Sequence, residues 1–278
     1  MIPITVFTGF LGSGKTTIIL SLLSKLPKTS KVVLLKNEFG DVKVDSELAK
    51  EANIQVTEMV NGCLCCVLVG QMKNALLEIK EKQTPDRIII ETSGSAFPAP
   101  IAWQIREIAS DGFHLDSIVT VIDCVNFTGY EDTSYTARMQ AQYTDLILLN
   151  KHELVTERQL DIVMDHVYEL NTDTPKLKVP VDGISPSLVF GLDTKLFDSR
   201  AVEATGDTRH HAREVDLIHI QHPMDGVSPY SRDSFDELLK HLSKDSVYRI
   251  KGFIRFTGDP TVWIVNWAFE RLQMVASE

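Results

Sequence analysis

The sequence predicts an α/β protein, with a mostly parallel, helix-flanked sheet followed by a small α+β unit. Short apolar runs near residues 2–7, 31–36, 54–59, 87–91, 117–123 and 145–150 alternate with stretches of helical length. That alternation is what parallel strands joined by crossover helices require. The pattern fades after Pro180, and residues 183–213 read as an irregular crossing and linker. From Glu214 the order becomes strand, helix (about 233–242) and two strands. With 278 residues the chain is long enough for about two domains. The expected division is 1–182, 183–213 and 214–278.

The first run, Ile2 to Phe7, is rich in β-branched residues and reads as a buried strand. It leads directly into Gly9-Phe-Leu-Gly12-Ser13-Gly14-Lys15-Thr16-Thr17. The spacing Gly-x4-Gly-Lys-Thr is the Walker A pattern, and the following Thr17 to Leu26, stopped by Pro27, has helical length and apolar spacing. Strand, glycine loop and helix N-terminus together aim backbone N–H groups and a positive dipole end at phosphates. Lys15 is expected to reach the β- and γ-phosphates of a nucleoside triphosphate, and the Thr16 hydroxyl to ligate Mg2+. The first domain is therefore a P-loop domain. A glycine turn that binds nothing would not need this whole pattern.

Two further strand ends carry nucleotide chemistry. Asp145 to Asn150 (DLILLN) reads as a buried strand, followed by Lys151-His152-Glu153. Open parallel sheets bind ligands at that edge. Asn-Lys-x-Glu is close to the Asn-Lys-x-Asp guanine motif of GTPases. A carboxylate accepts from guanine N1–H and the exocyclic amine together, whereas adenine offers an acceptor at N1. Glu153 can do this from one methylene further back; otherwise it merely favours a helix dipole. The run Ile88-Ile89-Ile90 ends in Glu91-Thr92-Ser93-Gly94. In GTPases an acid here couples Mg2+ and the γ-phosphate to a mobile loop. No residue of these motifs is an evident strong base. Hydrolysis should therefore rest on positioning, with Lys15, Thr16 and Glu91 organising charge, Mg2+ and water, and turnover well below ~1 s⁻¹.

Three of the four cysteines fall in Gly62-Cys63-Leu64-Cys65-Cys66. No signal peptide and no long apolar run is evident, so a cytoplasmic chain is expected, with no membrane partner. In a reducing compartment such a cluster is metal-binding or redox-active before it is disulfide-bonded. Cys66 opens an expected helix, 67–80, with Leu68, Met72, Leu76 and Ile79 on its apolar face. Three thiolates suit Zn2+ or Cu+, with one tetrahedral position left open. Cys63 and Cys66 also form a Cys-x-x-Cys pair, which keeps the redox reading alive.

Taken together, GFLGSGKTT, Lys36-Asn37-Glu38-Phe39-Gly40, Asn61-Gly62-Cys63-Leu64-Cys65-Cys66, Glu91-Thr92-Ser93-Gly94 and Asn150-Lys151 resemble the CobW family of metallochaperone GTPases in order and spacing. Val247 to Phe253 looks like that family's second domain. The resemblance implies slow GTP hydrolysis, Zn2+ held by Cys63, Cys65 and Cys66, and release of the metal to a client metalloprotein. Glu38 and Asp41 become further candidate metal ligands. The chain is also similar to eukaryotic zinc chaperones of methionine aminopeptidase.

Four departures stand out. Lys36 and Asp41 replace the outer acids of the family's Glu-Asn-Glu-Phe-Gly-Glu, and Lys36 cannot ligate a metal while charged. Phe97 stands where aspartate is usual, and Glu153 where the guanine motif has aspartate. The sequence begins Met1-Ile2-Pro3 without the Cys-Pro docking segment of the aminopeptidase chaperones, an expectation against that client.

Other features are plainer. Cys124 reads as a core thiol, and Arg209-His210-His211 as a solvated linker before a metal store. Trp263 and Trp267 read as sheet-face packing. A net charge of −10 with no basic stripe argues against nucleic acid. The leading expectation is a GTP-hydrolysing zinc metallochaperone using GTP, Mg2+ and Zn2+. The alternatives are an ATP-dependent P-loop kinase or transferase, a zinc buffer or sensor, and a chaperone for Co2+ or Ni2+.

Overall fold

A computed structural model describes residues 1–36, 55–58, 69–130, 134–194, 196, 230–242, 247, 249–268 and 271–276. The chain divides into two compact units. The described residues of the first end at Leu196, and those of the second begin at Tyr230.

The first unit is built on seven parallel strands. They are β1 (Ile2–Thr8), β2 (Val32–Lys36), β3 (Gln55–Glu58), β4 (Arg87–Glu91), β5 (Phe113–Asp123), β6 (Leu146–Asn150) and β7 (Lys176–Lys178). Their order is β3-β2-β4-β1-β5-β6-β7, with β1 at the centre. The central strands are largely apolar and buried because helices cover both faces. The longer helices among the described residues are α1 (Lys15–Ser24), α2 (Val69–Gln83), α3 (Pro98–Glu107), α4 (Tyr135–Gln142) and α5 (Glu157–Leu170). One apolar cluster joins Ile4, Val6, Ile88 and Ile90 to Met72, Leu76 and Ile79 of α2 and Ile101 and Ile105 of α3. The other joins Phe7, Ile89 and Val119 to Ile18, Ile19 and Leu22 of α1. Alternate residues of β1 and β4 therefore face opposite clusters, as the pleat dictates.

The six expected strands are all present, and two differences are instructive. β5 starts four residues before Ser117, because His114 and Asp116 interrupt an apolar run that the strand nevertheless contains. Asp116 is buried and accepts from Arg87, Thr5 and the Gly191 N–H. β7 is only three residues long, with lysine at both ends, too short for periodicity to reveal.

The stretch expected to be an irregular crossing is packed as far as Thr194. Ile184 and Val189 enter the second cluster, and Arg87 lies over the Phe190 ring at 4.0 Å. Thr194 donates to Asp145 at 2.5 Å, and Arg106 donates to the Thr194 and Leu196 carbonyls. Burial opposes the Asp116 charge, yet the Gly191 N–H and the Arg87 guanidinium hold its carboxyl below the ordinary range. Burial lifts the Asp145 carboxyl instead.

The second unit has α6 (Arg232–His241) followed by β8 (Arg249–Arg255), β9 (Val262–Ala268) and β10 (Arg271–Ala276). These strands form an antiparallel sheet in the order β10-β9-β8. Among the described residues three strands thus follow the helix, where two are expected. β10 (Arg-Leu-Gln-Met-Val-Ala) mixes polar and apolar residues without a distinctive run. Phe235 and Leu239 of α6 pack with Phe256, Val265 and Trp267. Trp263 is partly buried and donates through Nε1 to Asp259 at 2.8 Å. The expected strand near Glu214 and the Arg209-His210-His211 stretch lie outside the described residues.

Candidate nucleotide site

The carboxyl ends of five strands carry the site. β1 runs into the glycine loop, β2 ends at Lys36, β4 at Glu91, β5 at Asp123 and β6 at Asn150. Parallel register sets Lys36 opposite Glu91, Glu91 opposite Phe7, and Asp123 opposite Asn150. Open α/β sheets present their ligand sites at this edge.

The loop between β1 and α1 is tightly specified. Gly9, Gly12 and Gly14 have φ of 137°, 73° and 96°, so each uses backbone space that side chains rarely tolerate. A Cβ on Gly9 would run into the Val121 carbonyl, and one on Gly14 into the Asn150 side-chain amide. Lys15 is 3% exposed and donates to the Gly9 carbonyl at 2.8 Å and to the Phe10 carbonyl at 3.3 Å. Its ammonium is thereby folded over the loop. Ser13 is buried, and among the described residues its hydroxyl has no hydrogen-bond partner. An orphaned hydroxyl inside a glycine cradle, with a lysine above it, suits a bound phosphate. Thr17, by contrast, is exposed on the first turn of α1.

Thr16 and Glu91 meet directly. The Thr16 hydroxyl donates to Glu91 Oε1 at 2.6 Å, and Lys36 Nζ lies 3.3 Å from Glu91 Oε2 and 3.4 Å from Thr16 Oγ1. Glu91 is 1% exposed and Lys36 6%. A hydroxyl and a carboxylate side by side form a hard-oxygen set that fits Mg2+. The turn after Glu91 is fixed by neighbours: a Cβ on Gly94 would strike Leu11 of the glycine loop, and Gln140 of α4 donates to the Gly94 and Ala96 carbonyls.

On the other side, Asn150 Nδ2 donates to the Ser13 carbonyl at 2.8 Å and Lys151 Nζ to the Gly12 carbonyl at 2.7 Å. Lys151 also pairs with the fully buried Asp123 at 2.5 Å. Asp123 in turn accepts from the Val125 N–H and the Asn126 amide. Glu153 sits exposed on the short 3-10 turn His152–Leu154. Cys124 lies next to this region, 2% exposed, with burial pushing its thiol up to about 12 and the Asp123 and Glu153 carboxylates adding to the effect.

The site therefore brings together Gly9, Gly12, Ser13, Gly14, Lys15, Thr16, Glu91, Asn150 and Lys151, while leaving Thr17 and Glu153 at the surface. Cys63, Cys65, Cys66, Glu38 and Asp41 lie outside the described residues. Among the described residues no cluster of three or more His, Cys, Asp or Glu side chains is placed to hold a metal ion by itself. Sequence reasoning missed two contributors. Lys36 reads in sequence only as a lost ligand, and Asp123 only as the end of an apolar run. An acid closing a buried apolar strand run, as Glu91 closes its own, was the sequence signal that could have found Asp123.

A central strand, a glycine cradle closed by a lysine, and an asparagine-lysine pair bracing the cradle from β6 define a P-loop nucleotide-binding protein. The family model described as the CobW/HypB/UreG nucleotide-binding domain matches residues 3–178, and the chain belongs to that family. It is 28% identical over 272 residues to the zinc chaperone YjiA of Escherichia coli K12, covering 93% of this chain and 83% of the relative. It is 35% identical over 182 residues to zinc-regulated GTPase metalloprotein activator 1 of Schizosaccharomyces pombe, covering 61% of this chain and 44% of the relative. The crystal structure of Zn(II)-bound YjiA GTPase from E. coli superposes with a TM-score of 0.55 at 21% identity. The match covers 100% of this chain and 89% of that one, a likeness of fold.

Proposed function

We propose that this protein is a GTP-hydrolysing zinc metallochaperone. In this reading it binds Zn2+ through Cys63, Cys65 and Cys66 and passes it to a client metalloprotein under nucleotide control. The observation that carries the reading is the junction of Thr16 with Glu91 at 2.6 Å beside the closed phosphate loop. It supports a Mg2+–nucleoside triphosphate site, with Lys15 binding phosphate and Thr16 and Glu91 organising Mg2+ and water. The assignment of Asn150, Lys151 and Glu153 to guanine rests on their order in the Asn-Lys-x-Glu motif at the end of β6. Glu38 and Asp41 remain further candidate ligands.

The cysteine segment follows β3 in the chain, between β2, which leads into Asn37 and Glu38, and β4, which ends at Glu91. Nucleotide-dependent loops in GTPases leave strand ends of this kind. Names of relatives in three eukaryotes speak of zinc-regulated activation of metalloproteins, which supports a metalloprotein client. Among the described residues no helix is long and apolar enough to cross a membrane. We take the cytoplasm as the working compartment, and 1–182, 183–213 and 214–278 as the working division of the chain.

The test is linkage. If GTP changes zinc affinity, zinc must change GTP affinity by the same factor, and about 1–3 kcal/mol is typical of such coupling. Zinc affinity is measured by competition with a chromophoric chelator in apo, GDP and non-hydrolysable-GTP states. A Cys63/Cys65/Cys66 triple-alanine variant and Lys15→Ala serve as controls. Equal zinc affinities in all three states would reject nucleotide control, and ATP binding as tightly as GTP would reject guanine recognition.

A further inference from the structure

Lys36 is a buried ammonium at an unusual place. It ends β2 directly beside Glu91, its register partner on β4, and the two side chains pair at 3.3 Å with exposures of 6% and 1%. The same Nζ lies 3.4 Å from the Thr16 hydroxyl, which itself donates to the other Glu91 oxygen at 2.6 Å. One cation, one hydroxyl and one carboxylate therefore close a triangle at the mouth of the glycine loop. The hydroxyl and the carboxylate are the two oxygens that the nucleotide reading assigns to Mg2+. A buried carboxylate is costly without a partner, so the ammonium has reason to stay against it.

Resting on that reading, we propose that Lys36 is a tethered counter-ion that shares the Mg2+ subsite. It neutralises Glu91 and supplies positive charge next to the phosphates without Mg2+. A divalent cation drawn to the same oxygens meets a fixed like charge, because both cations address one carboxylate. Two consequences follow. Nucleotide binding depends weakly on Mg2+, and Mg2+ itself binds weakly until nucleotide phosphates add their own charge. Phosphates and the Glu91 carboxylate thus divide two cations, one covalently attached and one exchangeable.

The experiment titrates a fluorescent GDP analogue into the full-length protein at free Mg2+ levels buffered from EDTA to millimolar. Wild type, Lys36→Gln, Lys36→Met and Lys36→Arg are compared, with circular dichroism to verify folding. Wild type and Lys36→Arg should change affinity by less than about tenfold across the range, the lower part of ordinary site-to-site coupling. Lys36→Gln and Lys36→Met should lose affinity in EDTA and reach half-saturation at about fivefold lower Mg2+ or less. Identical Mg2+ dependence in folded Lys36→Gln and wild type overturns the proposal. So does a loss of more than about hundredfold by wild type in EDTA, which requires no variant. If wild type binds no nucleotide at any Mg2+ level, the nucleotide reading fails first and takes this inference with it.

Discussion

The Asn150 side-chain amide donates to the Ser13 carbonyl at 2.8 Å, joining a residue at the end of β6 to a phosphate loop 137 positions earlier in the chain. Lys151 repeats the link one residue on, through the Gly12 carbonyl. The two motifs that sequence reading treats separately are thus one braced object. The Gly12 and Ser13 carbonyls are thus held by Lys151 and Asn150, while the Ser13 N–H closes a turn on the Phe10 carbonyl at 3.2 Å.

That bracing makes Gly14 sensitive beyond its own backbone. Its φ of 96° is strained for any side chain, and an added Cβ would strike the Asn150 amide. Gly14→Ala should lower GTP affinity at least about tenfold, since both the loop and its brace shift. Asn150→Ala should cost about 1 kcal/mol of stability through the lost hydrogen bond. Fluorescent-nucleotide titration and thermal melting read the two effects. A Gly14→Ala protein with unchanged affinity would count against the cradle.

Glu153 stands exposed at the turn after Lys151, and its proposed role is to accept from guanine. Glu153→Asp should preserve or raise the preference for GTP over ATP, and Glu153→Ala should lose it, because guanine recognition needs a carboxylate acceptor. Competition of the two nucleotides for one site measures the ratio. An unchanged ratio in both variants places base recognition elsewhere.

Asp116 anchors the opposite end of the sheet through Arg87, Thr5 and Gly191. Asp116→Asn removes the carboxylate that pairs with the Arg87 guanidinium and should destabilise the first unit by about 3 kcal/mol at pH 7. The folded carboxyl titrates below its ordinary value. Its stabilisation is therefore complete above the unfolded carboxylate pKa of about 3.9 and disappears as pH falls through the lower folded value. Urea unfolding of wild type and Asp116→Asn should accordingly converge towards acid pH. A constant gap from pH 7 to pH 2.5 would refute the assignment.

Cys124 titrates in the alkaline range. Its folded value near 12 lies above the ordinary 9.0, so its contribution is intact below about 9 and is lost as pH climbs towards 12. Between pH 9 and 10.5 wild type should lose about 2 kcal/mol more stability than Cys124→Ala. At pH 8 the native thiol should resist iodoacetamide, read by mass spectrometry of the peptide that carries it, while urea-unfolded protein reacts. Rapid native alkylation at Cys124 would show the thiol is not shielded.

What the sequence by itself determined was everything local. The Walker spacing, the apolar strand runs and the Asn-Lys pair are short-range patterns, and each specifies a backbone shape or a chemistry without help from distant residues. The buried face of α2 is of the same kind, since Met72, Leu76 and Ile79 follow helical period and all reach the core. Tertiary structure decided how those pieces meet. Lys36 and Glu91 are 55 positions apart, and only the β2–β4 register makes them partners. Asp123 becomes the anchor for Lys151 because β5 and β6 are neighbours. Asp116 could be charged inside β5 because Arg87 and the Gly191 backbone arrive from elsewhere to hold it. The charged contacts at the candidate site join residues on different strands, and a strand's own sequence does not contain its neighbour.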